Sequence, residues 1–271
     1  MSAPQKQSKF SEVVRFIQQY EGIINPNRIE FIRWIKDAEA LRLSNSTNGY
    51  MMEACIYRAQ GKTEKALEYM KKAYRLDPFS TSVIVNYASL LNSNGKFDES
   101  EELCMKHISA HRTSTAMFKI LLTNTKYTFN KQHLTDAINL FISTSLEGDQ
   151  VIEEARKGLL DFESMLETLE SANVSIKTYK RFNTLAQQVR SSYYLGESRT
   201  SVDYEINELG TFLLIEESLS NVSIEDCLHM NDDLIEAIID DDYPFEEYKK
   251  IIFNFIPTTK VAEKPISRLE A

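Results

Sequence analysis

The stretch from Tyr50 to Pro78 reads YMMEACIYRAQGKTEKALEYMKKAYRLDP, and its pattern returns once more further along the chain. A shift of 34 residues (88 − 54) places Ala54 on Ala88, Tyr57 on Leu91, Gly61 on Gly95 and Lys62 on Lys96. The same shift sets Ala66 on Ser100, Met70 on Cys104 and Ala73 on His107. Self-similarity at a fixed period in the 20–50 range marks stacked supersecondary units. Each block reads as helix, short glycine turn, helix. Gly61 offers the permissive backbone that ends a first helix. Leu76-Asp77-Pro78 ends the second, because the residue before proline is pushed out of helical geometry.

A second block, Thr81 to Arg112, keeps Tyr87, Ala88, Leu91, Gly95 and Phe97. It departs at Ser100, His107 and Arg112. A third can be drawn from Thr115 to Ser145, with Ala137 and Phe141 falling 37 residues (137 − 100) after Ser100 and Cys104. That offset implies three extra residues in the turn near 128–132.

Outside the blocks, Phe10, Val13, Val14, Ile17 and Tyr20 recur at helical spacing, as do Ile29, Ile32, Ile35 and Ala38. Asn25-Pro26 reads as a cap followed by a first-turn proline. Val151–Leu169 and Ile176–Val189 are two more helical patterns. Stacked units need neighbours to cover their apolar faces, and these flanks supply them.

After about Leu195 the period changes. Val202, Tyr204 and Ile206 alternate with polar residues, a turn follows at 208–211, and Phe212-Leu213-Leu214-Ile215 reads as a second strand. Ser223 resembles a helix cap before a stripe from Ile224 to Ile238, with a break expected near Asn231. Pro244 interrupts, and Tyr248 to Ile256 is rich in strand formers.

The expected architecture is therefore mainly α: a helical array at 8–192 of about five helix pairs, the first a divergent capping pair. A small acidic α+β module at 196–257 and a mobile tail at 258–271 follow.

Composition narrows the function classes. With 42% hydrophobic and 26% charged residues, and no apolar run near bilayer length, a membrane protein is not expected. The first ten residues lack a signal-peptide pattern, and three scattered cysteines are no disulfide framework, so a reducing, cytoplasmic setting is expected. The net charge of −9 is uneven. Residues 197–256 hold 16 acidic and three basic side chains, −13, leaving +4 elsewhere. Such a balance implies no direct nucleic-acid partner and a module that attracts basic proteins.

The block 50–78 closely resembles the tetratricopeptide repeat family through Tyr50, Ala54, Tyr57, Gly61, Ala66, Met70, Ala73 and Pro78. The narrow resemblance covers 50–112, and a looser one 10–189. It implies a solenoid whose first helices line a concave groove for a protein segment. Carried over, the groove positions are Asn48, Met51, Cys55 and Arg58 in one block, and Ser82, Val85, Asn86, Ser89 and Asn92 in the next. The lysine–asparagine clamp of some members is not reproduced, since its first-block slots hold Met51 and Cys55.

Two further clusters carry chemistry. Cys104, His107 and His111 share one helix face and have zinc-ligand chemistry, but burial within the repeat explains Cys104 and His107 more simply, and no metal site is expected. Asp232, Asp233, Glu236, Asp240, Asp241 and Asp242 form an acidic surface without the glycine-punctuated spacing of a calcium loop. No nucleophile elbow, phosphate-binding loop or His-Glu-x-x-His occurs. The leading expectation is a non-enzymatic adaptor or chaperone-like protein with no cofactor, able to self-associate. One alternative is an inhibitor or antitoxin-like protein masking a basic protein surface. Another is a metal-dependent enzyme using the acidic module.

Overall fold

The computed structural model describes residues 3–143 and 145–258. Helices α1 (Ala3–Gln19), α2 (Ile29–Arg42), α3 (Ser46–Ala59), α4 (Thr63–Leu76), α5 (Thr81–Ser93), α6 (Phe97–Ile108), α7 (Thr115–Thr128) and α8 (Lys131–Leu140) come first. The long α9 (Leu146–Ser171) and α10 (Ile176–Tyr193) follow. Short strands β1 (Gly22–Ile23) and β2 (Tyr194–Leu195) pair antiparallel and join the two ends of this region. Beyond them lie β3 (Ser198–Asn207), β4 (Gly210–Leu219), α11 (Ile224–Ile239), the short α12 (Phe245–Tyr248) and β5 (Ile251–Pro257).

Helices α3/α4, α5/α6 and α7/α8 pack as successive antiparallel pairs, each also resting on the next. Small side chains make this possible: Ala54, Ala66, Ala73, Ala88 and Ala137 are fully buried in one continuous core. The three αL residues that close the first helices are Gly61 (φ +74°), Gly95 (φ +70°) and Phe129 (φ 56°). They lie 34 residues apart (95 − 61 and 129 − 95). The third turn therefore keeps the period, and α8 starts at Lys131, 34 after Phe97. The insertion expected near 128–132 is absent; Phe129 simply replaces the glycine whose spacing would have shown it.

The last expected pair also differs. Helices α9 and α10 make their main contacts elsewhere, α9 on α7 and α8. Helix α10 runs along the edge formed by the three turns. Its Tyr179 ring meets Phe129 at 5.6 Å. Thr184 Oγ1 donates to Gly95 O at 3.2 Å, and Arg58 Nη1 donates to Ser191 O at 2.9 Å. From Tyr179 to Ser191 is about 18 Å of helix rise, or roughly 9 Å per repeat, the usual distance between packed helices. A Cβ at Gly61 would sit 2.5 Å from Ser192 O, and one at Gly95 2.7 Å from Thr184 O. Glycine is thus required twice over at both turns, by backbone conformation and by the approach of α10.

Helix starts follow local chemistry. The side chains of Asn45, Ser114, Asn130, Ser145 and Ser175 each accept a first-turn backbone N–H. The Asn25-Pro26 start expected for α2 does not hold. Asn25 Oδ1 instead accepts from Asn27 N at 3.1 Å, spending its oxygen on a turn, and α2 begins at Ile29.

In the C-terminal part, β3 and β4 form the expected hairpin with Asn207 opposite Gly210. Strand β5 then adds parallel to β4, with Leu213 opposite Ile251, after the α11 crossover. Ser223 caps α11 in a reciprocal capping box with Asp226. No break occurs at Asn231, because its amide is used otherwise. It donates to Phe255 O at 3.3 Å and accepts from Phe255 N at 2.8 Å, covering backbone groups on the free edge of β5. The sheet has no separate core: Leu213, Ile215, Leu219 and Phe255 are buried together with Tyr179, Phe182 and Leu185 of α10. Beyond Thr258, the tail expected from the sequence lies outside the described residues.

Candidate functional site

The concave side of α3 and α5 is the place to look for a groove, and the chain itself covers much of it. Helix α1 folds back on α3, so that Phe10, Phe16 and Ile17 pack beside Cys55. Met51, an expected groove residue, is buried at 3% exposure within the core. It is corrected to a packing residue. At the other end, residues between 190 and 202 line the cavities beside these helices. Arg190 Nη1 donates to Ser198 Oγ at 2.6 Å, and Ser198 Oγ donates to Glu217 Oε1 at 2.6 Å. Arg190 and Glu217 also form an ion pair at 3.2 Å.

This cluster lies between two cavities. One, of about 550 Å³, is lined by Cys55, Arg58, Asn86, Ser89 and Ser93 from the repeats, with Gln18, Glu21, Arg190 and Glu197 opposite. The other, of about 420 Å³, is lined mainly by α7, α9 and β3, including Tyr127, Phe162 and Val202.

Of the nine groove positions carried over by resemblance, Cys55, Arg58, Asn86 and Ser89 line the first cavity. Asn48 is half-buried on the first turn of α3, where its backbone N–H is capped by Asn45. Ser82 is exposed, with its Oγ 3.0 Å from Ser80 Oγ. Val85 packs against the core. Asn92 is half-buried and does not line the cavity.

The cavity's electrostatics centre on Arg58. Its guanidinium donates only to backbone oxygens, Ser191 O at 2.9 Å and Tyr194 O at 3.3 Å. It thereby satisfies carbonyls at the C-terminal end of α10, which favours a cation. Burial, and secondarily the charge of Arg190, bring its pKa down to about 10. It stays protonated at neutral pH without a carboxylate partner. Burial likewise pushes the Cys55 thiol up to about 12, which disfavours the reactive thiolate. Asn86 Nδ2 donates to Ser82 O at 2.7 Å, and Asn86 also lines the cavity. The site can thus accept and donate hydrogen bonds next to a fixed positive charge.

The acidic surface divides in two. Asp233 accepts from Tyr193 OH at 2.6 Å, and Asp241 is held by Arg181 and Tyr248. Hydrogen bonding from Arg181 first, then from Tyr248, holds the Asp241 carboxyl at about 2. These two are corrected to structural roles. Asp232, Glu236, Asp240 and Asp242 remain exposed.

Cys104, His107 and His111 do not assemble a metal site. A His107 ring nitrogen is 2.9 Å from Tyr74 OH, and one of His111 is 2.9 Å from Thr81 Oγ1. Burial pushes the Cys104 thiol up to about 12. Among the described residues no three His, Cys, Asp or Glu side chains come together for a metal ion.

Arg190, Glu197 and Gln18 escaped the sequence reading because self-comparison reports only positions inside the repeat. A usable signal existed in α10. Lys180, Thr184 and Gln188 recur every four residues, and this polar stripe bonds Asp98, Gly95 O and Asn94 O.

Among the described residues no helix is long and apolar enough to cross a membrane. No curated protein and no solved structure shows a significant match to the chain. One family model does match, that of the tetratricopeptide repeat, over residues 47–80. Those residues hold nearly all of α3 and all of α4, and this segment of the chain is a tetratricopeptide repeat.

Proposed function

We propose that the protein is a non-enzymatic adaptor that holds a short segment of a partner protein in the cavity between α3, α5 and α1. The tetratricopeptide repeat is a protein-interaction unit, which supports the class. The observation that carries the finer reading is the cavity itself. Where the chain fills the rest of its groove, it leaves Asn86, Ser89 and Ser93 beside a half-buried Arg58 that has no carboxylate partner. With Glu21 and Glu197 on the opposite wall, that combination suits a polar side chain on a short segment, in a partner whose remaining surface is basic. The exposed acidic face of α11 would speed its capture by long-range attraction.

A Ser89→Trp chain tests this, since Ser89 is exposed and lines the cavity, which the indole would fill; a melting curve checks that the fold is kept. In pull-downs from native lysate, a partner retained stoichiometrically by the wild type and lost by Ser89→Trp is expected. Equal retention by both chains sinks the groove reading.

The inhibitor reading keeps one supporting observation, the unpaired carboxylates Asp232, Glu236, Asp240 and Asp242. It predicts that their joint replacement by asparagine and glutamine abolishes retention while Ser89→Trp does not. Point variants are the right tool here. Deleting residues 197–271 would strip the cover from Tyr179, Phe182 and Leu185 and unfold more than the module.

A further inference from the structure

Helix α11 is apolar around more of its circumference than its packing uses. Cys227, Met230 and Leu234 face the core. At 100° per residue, Ile224, Leu228, Ile235 and Ile239 fall within about 60° of arc beside the core-facing arc, joined to it through the half-buried Ile238. They are 69%, 58%, 55% and 65% exposed. Glu225, Asp232, Glu236 and Asp240 occupy the adjoining arc of about 80°. The helix carries no lysine or arginine. An ordinary surface helix has one apolar stripe, which faces its own core. Here the apolar arc runs on past the core-facing side into solvent, and carboxylates border its outer edge.

We propose that this face docks an amphipathic helical segment of a partner protein whose own apolar stripe is bordered by lysine or arginine. The proposal rests on the acidic-face part of the function proposed above, but not on the groove. Charge complementarity selects the occupant. A second copy of this chain would bring apolar stripe to stripe, but would also face carboxylates with carboxylates and offer no cation from α11. An anionic lipid surface meets the same repulsion. A basic amphipathic helix covers the stripe and pairs the acids at its border, the helix-in-groove mode with spaced apolar anchors.

The test uses the full chain and a labelled leucine–lysine peptide patterned as an amphipathic helix of α11's length. Its leucine–glutamate counterpart and a scrambled leucine–lysine sequence are the controls, and binding is read by fluorescence anisotropy. The patterned basic peptide is expected to bind at least about tenfold more tightly than either control, and to lose about tenfold or more in Leu228→Ser/Ile235→Ser. Both substituted residues are exposed, so the thermal midpoint should hold; melting curves check this. Ser89→Trp should leave peptide binding unchanged, which separates this surface from the groove.

Equal binding of the scrambled peptide would overturn the proposal by showing charge attraction alone. So would unchanged binding in Leu228→Ser/Ile235→Ser, or loss of binding in Ser89→Trp. A dimer seen by analytical ultracentrifugation that the double serine variant dissolves would assign the stripe to a second copy instead.

Discussion

Replacing Gly95 by alanine tests the seating of α10 on the repeat turns. Two costs add. Gly95 has φ +70°, a left-handed conformation that costs an L-residue roughly 1–2 kcal/mol. Its new Cβ would lie 2.7 Å from Thr184 O and 2.9 Å from Thr184 Cα. Both are backbone atoms of a packed helix, so relief requires α10 to shift; overpacking of this kind costs about 1–3 kcal/mol. The expected loss is about 2–5 kcal/mol, a large share of the roughly 5–15 kcal/mol that holds a typical domain together. Urea unfolding followed by far-ultraviolet circular dichroism measures it. Gly95→Asn separates the contributions, because asparagine tolerates the left-handed region and retains the clash. It should lose less than alanine but still more than 1 kcal/mol or so. Gly158→Ala is the control. Its Cβ meets only the flexible Leu122 Cδ1, at 3.0 Å, and alanine within a helix gains up to about 1 kcal/mol over glycine. If Gly95→Ala unfolds within about 0.5 kcal/mol of the wild type, as an unremarkable surface substitution would, α10 does not sit on these turns.

Two further outcomes are expected. Asp241 has its carboxyl lowered from 3.8 to about 2, so its stabilisation is present above pH 3.8 and lost as pH falls toward 2. Linkage would make this about 2.5 kcal/mol, and solvent screening through Arg181 reduces it to about 1–2 kcal/mol. Thermal melts of Asp241→Asn should therefore fall below wild type at neutral pH and converge with it near pH 2; a constant difference across that window would remove the Arg181 pairing as the cause. Cys55 and Cys104, both pushed up to about 12 by burial, should resist iodoacetamide in the native chain and react once it is denatured. Rapid alkylation of Cys55 in the native state would mean that α1 does not cover it.

The repeat itself was legible because its chemistry is local. Gly61, Ala54, Ala66 and Pro78 are dictated by helix ends and close approach within one pair, and Gly61 and Ala54 recur in order along the chain as Gly95 and Ala88. The hairpin turn and the Ser223 cap were legible for the same reason, each being settled by neighbours within a few residues. The turn at Phe129 was hidden, since a phenylalanine gives no sign of a left-handed backbone until its ring is seen between Phe162 and Tyr179.

What remained was decided by contacts between distant parts of the chain. No spacing in the sequence says that α1 returns onto α3 beside Cys55, that Arg58 caps a helix 133 residues away, or that Arg190 and Glu217 pair between two cavities. Nor does the acid run say which carboxylates are spent inside. Asp241 is 2% exposed against Arg181, whereas Asp240 beside it is exposed and unpaired. Local propensity and periodicity determine which helices form and how neighbouring ones pair. Where α10 and the sheet come to rest depends on desolvating surfaces far apart in sequence, and that decides how much of the groove is left open.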